Sequence, residues 1–146
     1  MEIFGLINND ALTNDSFIRN IIADSDCILA YETAADFLGI NEGLAYQRGS
    51  LTVYSLKELN IQDVDCILVS SFNDIKFEVV RGIRVTTAEQ TIIDLLRHNR
   101  DDQVIQEAMS YWYETHNQSF DNLNIPDDIR DIFNSYVDDA IHYYDN

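Results

Sequence analysis

The chain has 146 residues, of which 46% are hydrophobic and 11% aromatic, and its formal net charge is -17 at pH 7. This length predicts one domain, residues 1–146, with a sizeable core, and the hydrophobic content excludes an intrinsically disordered chain. The strong negative charge opposes contact with phosphate backbones and attracts basic surfaces, so we expect a basic protein partner and no direct DNA binding.

No targeting or membrane segment is evident in the sequence. The first residues, MEIFGLINND, lack the basic region and the continuous apolar core of a signal peptide. No run approaches the roughly 20 apolar residues that span a bilayer. We therefore expect a cytoplasmic protein without membrane contact. Cys27 and Cys66 lie in apolar surroundings without metal-ligand spacing, which predicts two buried free thiols.

The N-terminal part predicts two short helices. In TNDSFIRNIIADSD, cap residues at positions 13–15 precede apolar residues at helical spacing. The segment YETAADFLG predicts a second helix, which ends at Gly39 because glycine readily adopts the left-handed conformation of a helix stop.

Residues 51–85 change to a β-rich pattern. The pieces LTVYSL, VDCILVSS, IKFEVV and IRV predict short strands in a small, mainly antiparallel sheet. Asn73-Asp74 is typical of a hairpin turn, and Arg81-Gly82 of a second turn or a bulge.

Three helices are predicted after the strands, over residues 87–97, 101–116 and 127–144, the last beginning after Pro126. Thr86 followed by Glu89 resembles a capping box, in which a hydroxyl and a carboxylate satisfy backbone donors at a helix start near Thr87. Short helices, a small sheet and C-terminal helices together predict the α+β class.

Motifs for catalysis are absent from the sequence. There is no glycine-rich phosphate loop, HExxH, CxxC or GxSxG. The three histidines are far apart, and the acidic doublets do not point at one metal or acid-base site, since adjacent helical positions diverge by about 100°. We expect a non-enzymatic protein with no catalytic residue, no metal and no cofactor.

The C-terminal segment predicts a partner-binding surface. Residues 120–146 hold seven acids against Arg130 alone, and acids beside tyrosines suit a basic partner that also makes apolar contacts. The predicted surface consists of Asp127, Asp128, Asp131, Tyr136, Asp138, Asp139 and Tyr143. The alternative is that these acids only solvate the surface, with the interface around Arg48, Lys76, Arg81 and Arg84.

The segment GIRVTTAEQTIIDLL resembles one that recurs in AbiEi-type antitoxins of type IV toxin-antitoxin systems, and ILAYETAADFLGI and LTVYSLKELN are similar to its upstream segments. The resemblance covers about residues 27–115. Gln90 departs from it, because the family often has arginine there. The matching residues are Gly82, Val85, Thr86, Glu89, Thr91, Asp94 and Leu95.

This resemblance implies an antitoxin-like domain that antagonises a nucleotidyltransferase toxin by protein-protein binding. The family's winged-helix DNA-binding domain is expected to be absent, since only about 26 residues precede the matching region. The alternative hypothesis is a phage-type anti-defence inhibitor, against CRISPR or restriction, whose carboxylates imitate nucleic-acid phosphates in the basic groove of a nucleic-acid-handling enzyme.

Overall fold

The computed structural model describes residues 16, 18–22, 25–41 and 50–145. Its five strands form one sheet in the order β3-β2-β1-β5-β4, and the strands are β1 Cys27–Leu29, β2 Leu51–Ser55, β3 Val64–Leu68, β4 Phe77–Val80 and β5 Ile83–Thr86. Residues 18–22 are helical. The further helices are α1 Tyr31–Leu38, α2 Ala88–Arg97, α3 Asp102–Thr115 and α4 Arg130–Ile141, with a 3-10 turn at Asp127–Ile129 directly before α4.

The α+β class is confirmed, and the sheet is mixed. β1 pairs antiparallel with β2, and β4 with β5, whereas β1–β5 and β2–β3 are parallel. The mainly antiparallel sheet that the sequence predicted is therefore a mixed one. Patterns along the chain indicate hairpins between neighbouring strands, but they carry no signal for parallel pairs between distant segments.

The central strand β1 is absent from the prediction. Its three residues are all buried, and they join the sheet between β2 and β5, with Leu29 opposite Val85. A strand of three residues that is covered on both faces shows no alternation of apolar and polar residues, so its sequence pattern does not reveal it.

Two separate cores lie on the two faces of the sheet. Leu29 and Val53 pack with helix residues Ile18 and Phe37 on one face. On the other face, strand residues such as Ile28 pack against α2, α3 and α4. Successive side chains of a strand point to opposite faces, so each central strand contributes to both cores.

Of three predictions about turns and helix ends, the turn at Arg81-Gly82 and the helix stop at Gly39 are confirmed, and the hairpin turn at Asn73-Asp74 is wrong. Arg81 and Gly82, with φ of 50° and 79°, form the two-residue turn between β4 and β5, and positive φ at both positions matches the right-handed twist of a hairpin. Gly39, with φ of 75°, ends α1. Asn73-Asp74 does not turn a hairpin, because the strands on either side of it, β3 and β4, lie at opposite edges of the sheet.

The start of α2 differs from the prediction by one residue. Thr87 is the N-cap, and its hydroxyl oxygen accepts a hydrogen bond from the Gln90 N–H at 3.1 Å. Thr86 still belongs to β5, opposite Phe77, and its buried hydroxyl lies 2.7 Å from that of Thr91. The Thr86–Glu89 capping box is therefore wrong, because strand pairing extends through Thr86.

We predict that Thr87→Ala lowers the free energy of unfolding by about 1 kcal/mol, since the Gln90 N–H loses its acceptor. For a chain of this size, the melting temperature should fall by about 3–4 °C. Thermal unfolding followed by circular dichroism measures the change. Thr87→Ser keeps the oxygen and should retain most of the stability; an equal loss in both variants would show that the cap is not the cause.

Candidate partner-binding surface

Helix α4 has one buried side and one acidic side. Phe133 and Ala140 are buried against the core. At 3.6 residues per turn, Asp131, Asp138 and Asp139 of α4 fall within an arc of about 100° on the opposite side, and Asp127 and Asp128 lie in the 3-10 turn directly before the helix. We call the exposed carboxylates of this side and of the turn the acidic face, and it consists of Asp127, Asp128, Asp131, Asp138 and Asp139.

One carboxylate of the acidic face is neutralised by a fixed base. Arg97 of α2 donates from Nε to Asp128 Oδ2 at 3.0 Å and from Nη2 to Oδ1 at 2.9 Å. This bidentate hydrogen bond holds the pKa of Asp128 below its usual value and ties the start of α4 to α2. The Asp128 carboxylate therefore stabilises the contact between α2 and the start of α4, and it is also part of the acidic surface.

Of the other four carboxylates, three have no ion-pair partner among the described residues and one lies near a histidine. Asp127, Asp131 and Asp139 are exposed and form no ion pair with any described residue. Asp138, whose side chain is 91% exposed, lies 3.7 Å from His142 Nε2. The pKa of His142 is raised by its hydrogen bond to Asp145 and then by Asp138. These carboxylates are all available to a basic partner.

The predicted tyrosines are half-buried, and their hydroxyl groups are bound within the protein. Tyr136 donates to Asp102 at the start of α3, and Tyr143 donates to Glu107 Oε2 at 2.8 Å. Burial, followed by the Asp102 hydrogen bond, raises the pKa of Tyr136 to about 12. Both side chains hold α4 against α3. Tyr144, which the predicted set does not contain, is the more exposed aromatic at this end, at 55%.

The residues of the alternative, central interface are engaged in contacts of their own. Arg48 lies outside the described residues. Lys76 lies 3.4 Å from Glu89, Arg84 pairs with Asp26, and Arg81 lies over the Phe37 ring at 4.5 Å. The last two contacts are near the β4–β5 hairpin, so the described bases of this region mainly stabilise the sheet edge.

The motif residue Asp94 belongs to a buried polar network. It is 4% exposed and accepts from the Tyr54 hydroxyl at 2.7 Å and from Gln90 Nε2 at 3.0 Å. Burial raises the pKa of the Asp94 carboxyl. The Tyr31 hydroxyl lies 3.3 Å from that of Tyr54. This network joins α2 to β2 and α1, which gives Asp94 a structural role.

The described residues offer no arrangement suited to metal binding. No group of three or more histidine, cysteine or acidic side chains among them could hold a metal ion. Both cysteines are free, Cys27 buried and Cys66 half-buried. Burial raises the pKa of Cys27 to about 11, so its thiol remains protonated near neutral pH and is a poor nucleophile.

Within the part of the chain that is described, no helix has the length and apolar character needed to cross a bilayer.

Comparisons with protein-family models, curated proteins and solved structures return no match to this chain. The resemblance to AbiEi-type antitoxins stays a prediction that rests on the motif residues. In the fold, these residues form the junction between β5 and α2, where Gly82 turns the hairpin and Leu95 is fully buried.

Two aspartates should titrate on opposite sides of the usual value of 3.8, Asp94 above it and Asp128 below it. The contribution of Asp94 to stability is present below pH 3.8 and is lost as pH rises through its raised pKa. The contribution of Asp128 is present above pH 3.8 and is lost as pH falls through its lowered pKa.

NMR titration of the carboxyl carbons measures both values. Tyr54→Phe removes a hydrogen bond that favours the charged form of Asp94, so the pKa of Asp94 should rise further while that of Asp128 stays unchanged. An Asp94 pKa at or below 3.8 in the unmodified protein would contradict the buried network.

Proposed function

We propose that this chain is a non-catalytic inhibitor that binds a basic protein partner through the acidic face. The observation that carries the proposal is a group of four exposed carboxylates on α4 and the turn before it, Asp127, Asp131, Asp138 and Asp139, of which only Asp138 has an ion-pair partner among the described residues, His142 at 3.7 Å. Their mutual repulsion opposes folding in the free protein, and a basic partner would relieve it. The net charge of -17 adds long-range attraction to the same class of partner.

The spacing of these charges supports a partner that handles nucleic acid. From Asp127 to Asp139 the helical rise amounts to about 18 Å. These four carboxylates lie on average about 6 Å apart along the helix axis, so they form a row of negative charge that is less dense than one phosphate per 3.4 Å along a DNA strand. A basic groove that accepts a phosphate backbone could therefore also accept α4.

Two biological settings fit this proposal. In the first, the chain is an antitoxin that resembles the AbiEi toxin-neutralising domain and blocks a nucleotidyltransferase toxin. In the second, it is a phage-type anti-defence inhibitor that occupies the nucleic-acid groove of a CRISPR or restriction enzyme. A nucleotidyltransferase gene next to its own gene would support the first, and a phage early operon the second.

Replacing Asp127, Asp131, Asp138 and Asp139 by asparagine should slow association with the partner by about tenfold or more at 0.1 M salt. The partner is first isolated from the host lysate by pull-down, and rates are measured by surface plasmon resonance. Asp128 is kept, so that its contact with Arg97 remains. The difference in association rate between the unmodified protein and this variant should shrink at 1 M salt, because the screening length falls from about 10 Å at 0.1 M to about 3 Å at 1 M.

A matched control variant changes the net charge equally at exposed positions away from α4: Asp63→Asn, Asp74→Asn, Glu78→Gln and Glu114→Gln. The control should associate much faster than the α4 variant. Equal association rates for the two variants would show that the lower net charge alone slows association. This result would reject the acidic face as the binding site. Circular dichroism confirms that both variants are folded.

The protein alone should not bind duplex DNA, because its charge repels the phosphate backbone. Fluorescence anisotropy with a labelled duplex at low salt tests this, since low salt favours any electrostatic attraction. Saturable binding at submicromolar concentration would contradict the proposed function in both settings.

A further inference from the structure

Strand β4 forms one edge of the sheet, and no described strand lies beyond it. Its only neighbour in the described sheet is β5. The Thr87 N–H donates to the Lys76 carbonyl at 3.0 Å, and hydrogen-bonded and non-hydrogen-bonded pairs alternate along an antiparallel ladder. Glu78 therefore bonds to β5, whereas the N–H and C=O groups of Phe77 and Val79 point away from the sheet. These backbone groups can pair with a further strand.

The same strand exposes large apolar side chains. Phe77 is 37% exposed and Val79 is 64% exposed. Successive side chains of a strand point to opposite faces, so these two lie on one face, and the charged side chains of Lys76 and Glu78 lie on the other. An edge with exposed apolar side chains promotes pairing with another chain. A further strand beside β4 would remove part of this apolar surface from water.

The charges near this edge are balanced, although the chain as a whole is strongly acidic. Residues 74–90 contain three acids and three bases. The Lys76 side chain is 69% exposed, and its contact with Glu89 at 3.4 Å is an exposed ion pair, which contributes little to stability. Two copies of the chain repel each other through their net charges of -17, but this repulsion is reduced when they approach through β4.

The sequence of β4 is complementary to a second copy in one antiparallel register. A twofold axis at Phe77 places Lys76 of each copy opposite Glu78 of the other. This is a non-hydrogen-bonded pair, in which the Cα atoms are about 4.5 Å apart and the side chains are closest. An axis at Glu78 or Lys76 would place like charges opposite each other, which is destabilising. An axis at Val79 would place Phe77 opposite Arg81, which lies in the turn after the strand.

We propose that two copies of this chain form a twofold-symmetric dimer by antiparallel pairing of their β4 strands, with Phe77 at the axis. The two Phe77 residues exchange backbone hydrogen bonds, and the Val79 N–H of each copy donates to the Ile75 carbonyl of the other. The sheet then continues through both copies. The Phe77 rings meet on one face, and Lys76–Glu78 pairs form on the other. The inference is independent of the proposed function, because β4 contains no residue of the acidic face.

The dimer should dissociate at low concentration. β4 has only four residues, and an interface along so short an edge is smaller than the about 800 Å² per partner of a standard complex. We therefore expect a dissociation constant on the order of 10 μM. Association rates with the basic partner that are measured at nanomolar concentration concern the monomer, so Glu78→Gln in the control variant of the acidic-face test does not act on them through the dimer.

Sedimentation equilibrium of the full chain from about 1 to about 200 μM at 0.15 M salt tests the dimer. The mass should rise from 16.8 kDa towards twice that value, and a constant mass would overturn the inference. Amide hydrogen exchange of the unmodified protein locates the contact. Over the same range, the N–H groups of Phe77 and Val79 should become protected, whereas that of Glu78 should not change. A rise in mass without this protection would also overturn the inference.

Charge-swapped variants test the register. Lys76→Glu places acids opposite each other and should raise the dissociation constant by about tenfold or more. Lys76→Glu combined with Glu78→Lys restores opposite charges, and its dissociation constant should return to within about threefold of that of the unmodified protein. Both variants lose the contact of Lys76 with Glu89, so the difference between them reports the pair across the axis.

Lys57→Glu is the matched control for net charge, since Lys57 is exposed and lies outside β4. This variant should retain the dimer. Circular dichroism confirms that all variants are folded. A double variant that dimerises as weakly as Lys76→Glu, or an equal weakening by Lys57→Glu, would reject the pairing of Lys76 with Glu78 and the proposed β4 contact with it.

Discussion

The parallel contact between β1 and β5 is the constraint on which the rest of the fold depends. It places Leu29 opposite Val85 in the middle of the sheet and gives each face of the sheet its own apolar core. β5 leads directly into α2, so the position of β1 also sets the position of that helix. The buried hydrogen bond from Tyr54 to Asp94 then ties α2 to β2. Leaving the Asp94 carboxylate without this donor would be costly, because a buried charge needs its hydrogen bonds.

Helix α2 connects this sheet to the surface that we propose for binding. Arg97 at its end holds Asp128 in the turn before α4, and Glu89 in its first turn accepts a hydrogen bond from the Asn124 N–H in the segment that leads into this turn. The segment that resembles the antitoxin motif, together with the end of α2, thus supports the acidic face without belonging to it. A substitution in α2 could therefore weaken binding indirectly, by moving elements that it holds.

Charge has different roles in different parts of the molecule. Near the sheet and α2, some acids are paired with bases, as with Glu32 and Arg100, which form a bidentate contact at 2.7 and 3.1 Å, and others, such as Asp63, Asp74 and Glu78, are exposed. On α4 and the turn before it, Asp127, Asp131 and Asp139 have no ion-pair partner among the described residues, and Asp138 lies near His142. An ion pair with little exposed area contributes to the stability of the fold. Exposed charges of the same sign contribute little to stability, and salt screens their interaction. The grouping of exposed carboxylates on one helix and the turn before it is what makes the α4 side the better candidate for recognition.

Local patterns in the sequence were sufficient to predict the α+β class, most helix boundaries, the stop at Gly39 and the turn at Arg81-Gly82, because capping and turn chemistry act between neighbouring residues. Only the tertiary structure decided the strand β1, the parallel pairs and the cap at Thr87. The same holds for the bonds of Tyr136 and Tyr143, whose acceptors lie 34 and 36 residues away. Such contacts depend on how distant segments pack, which no periodicity within a short window can encode.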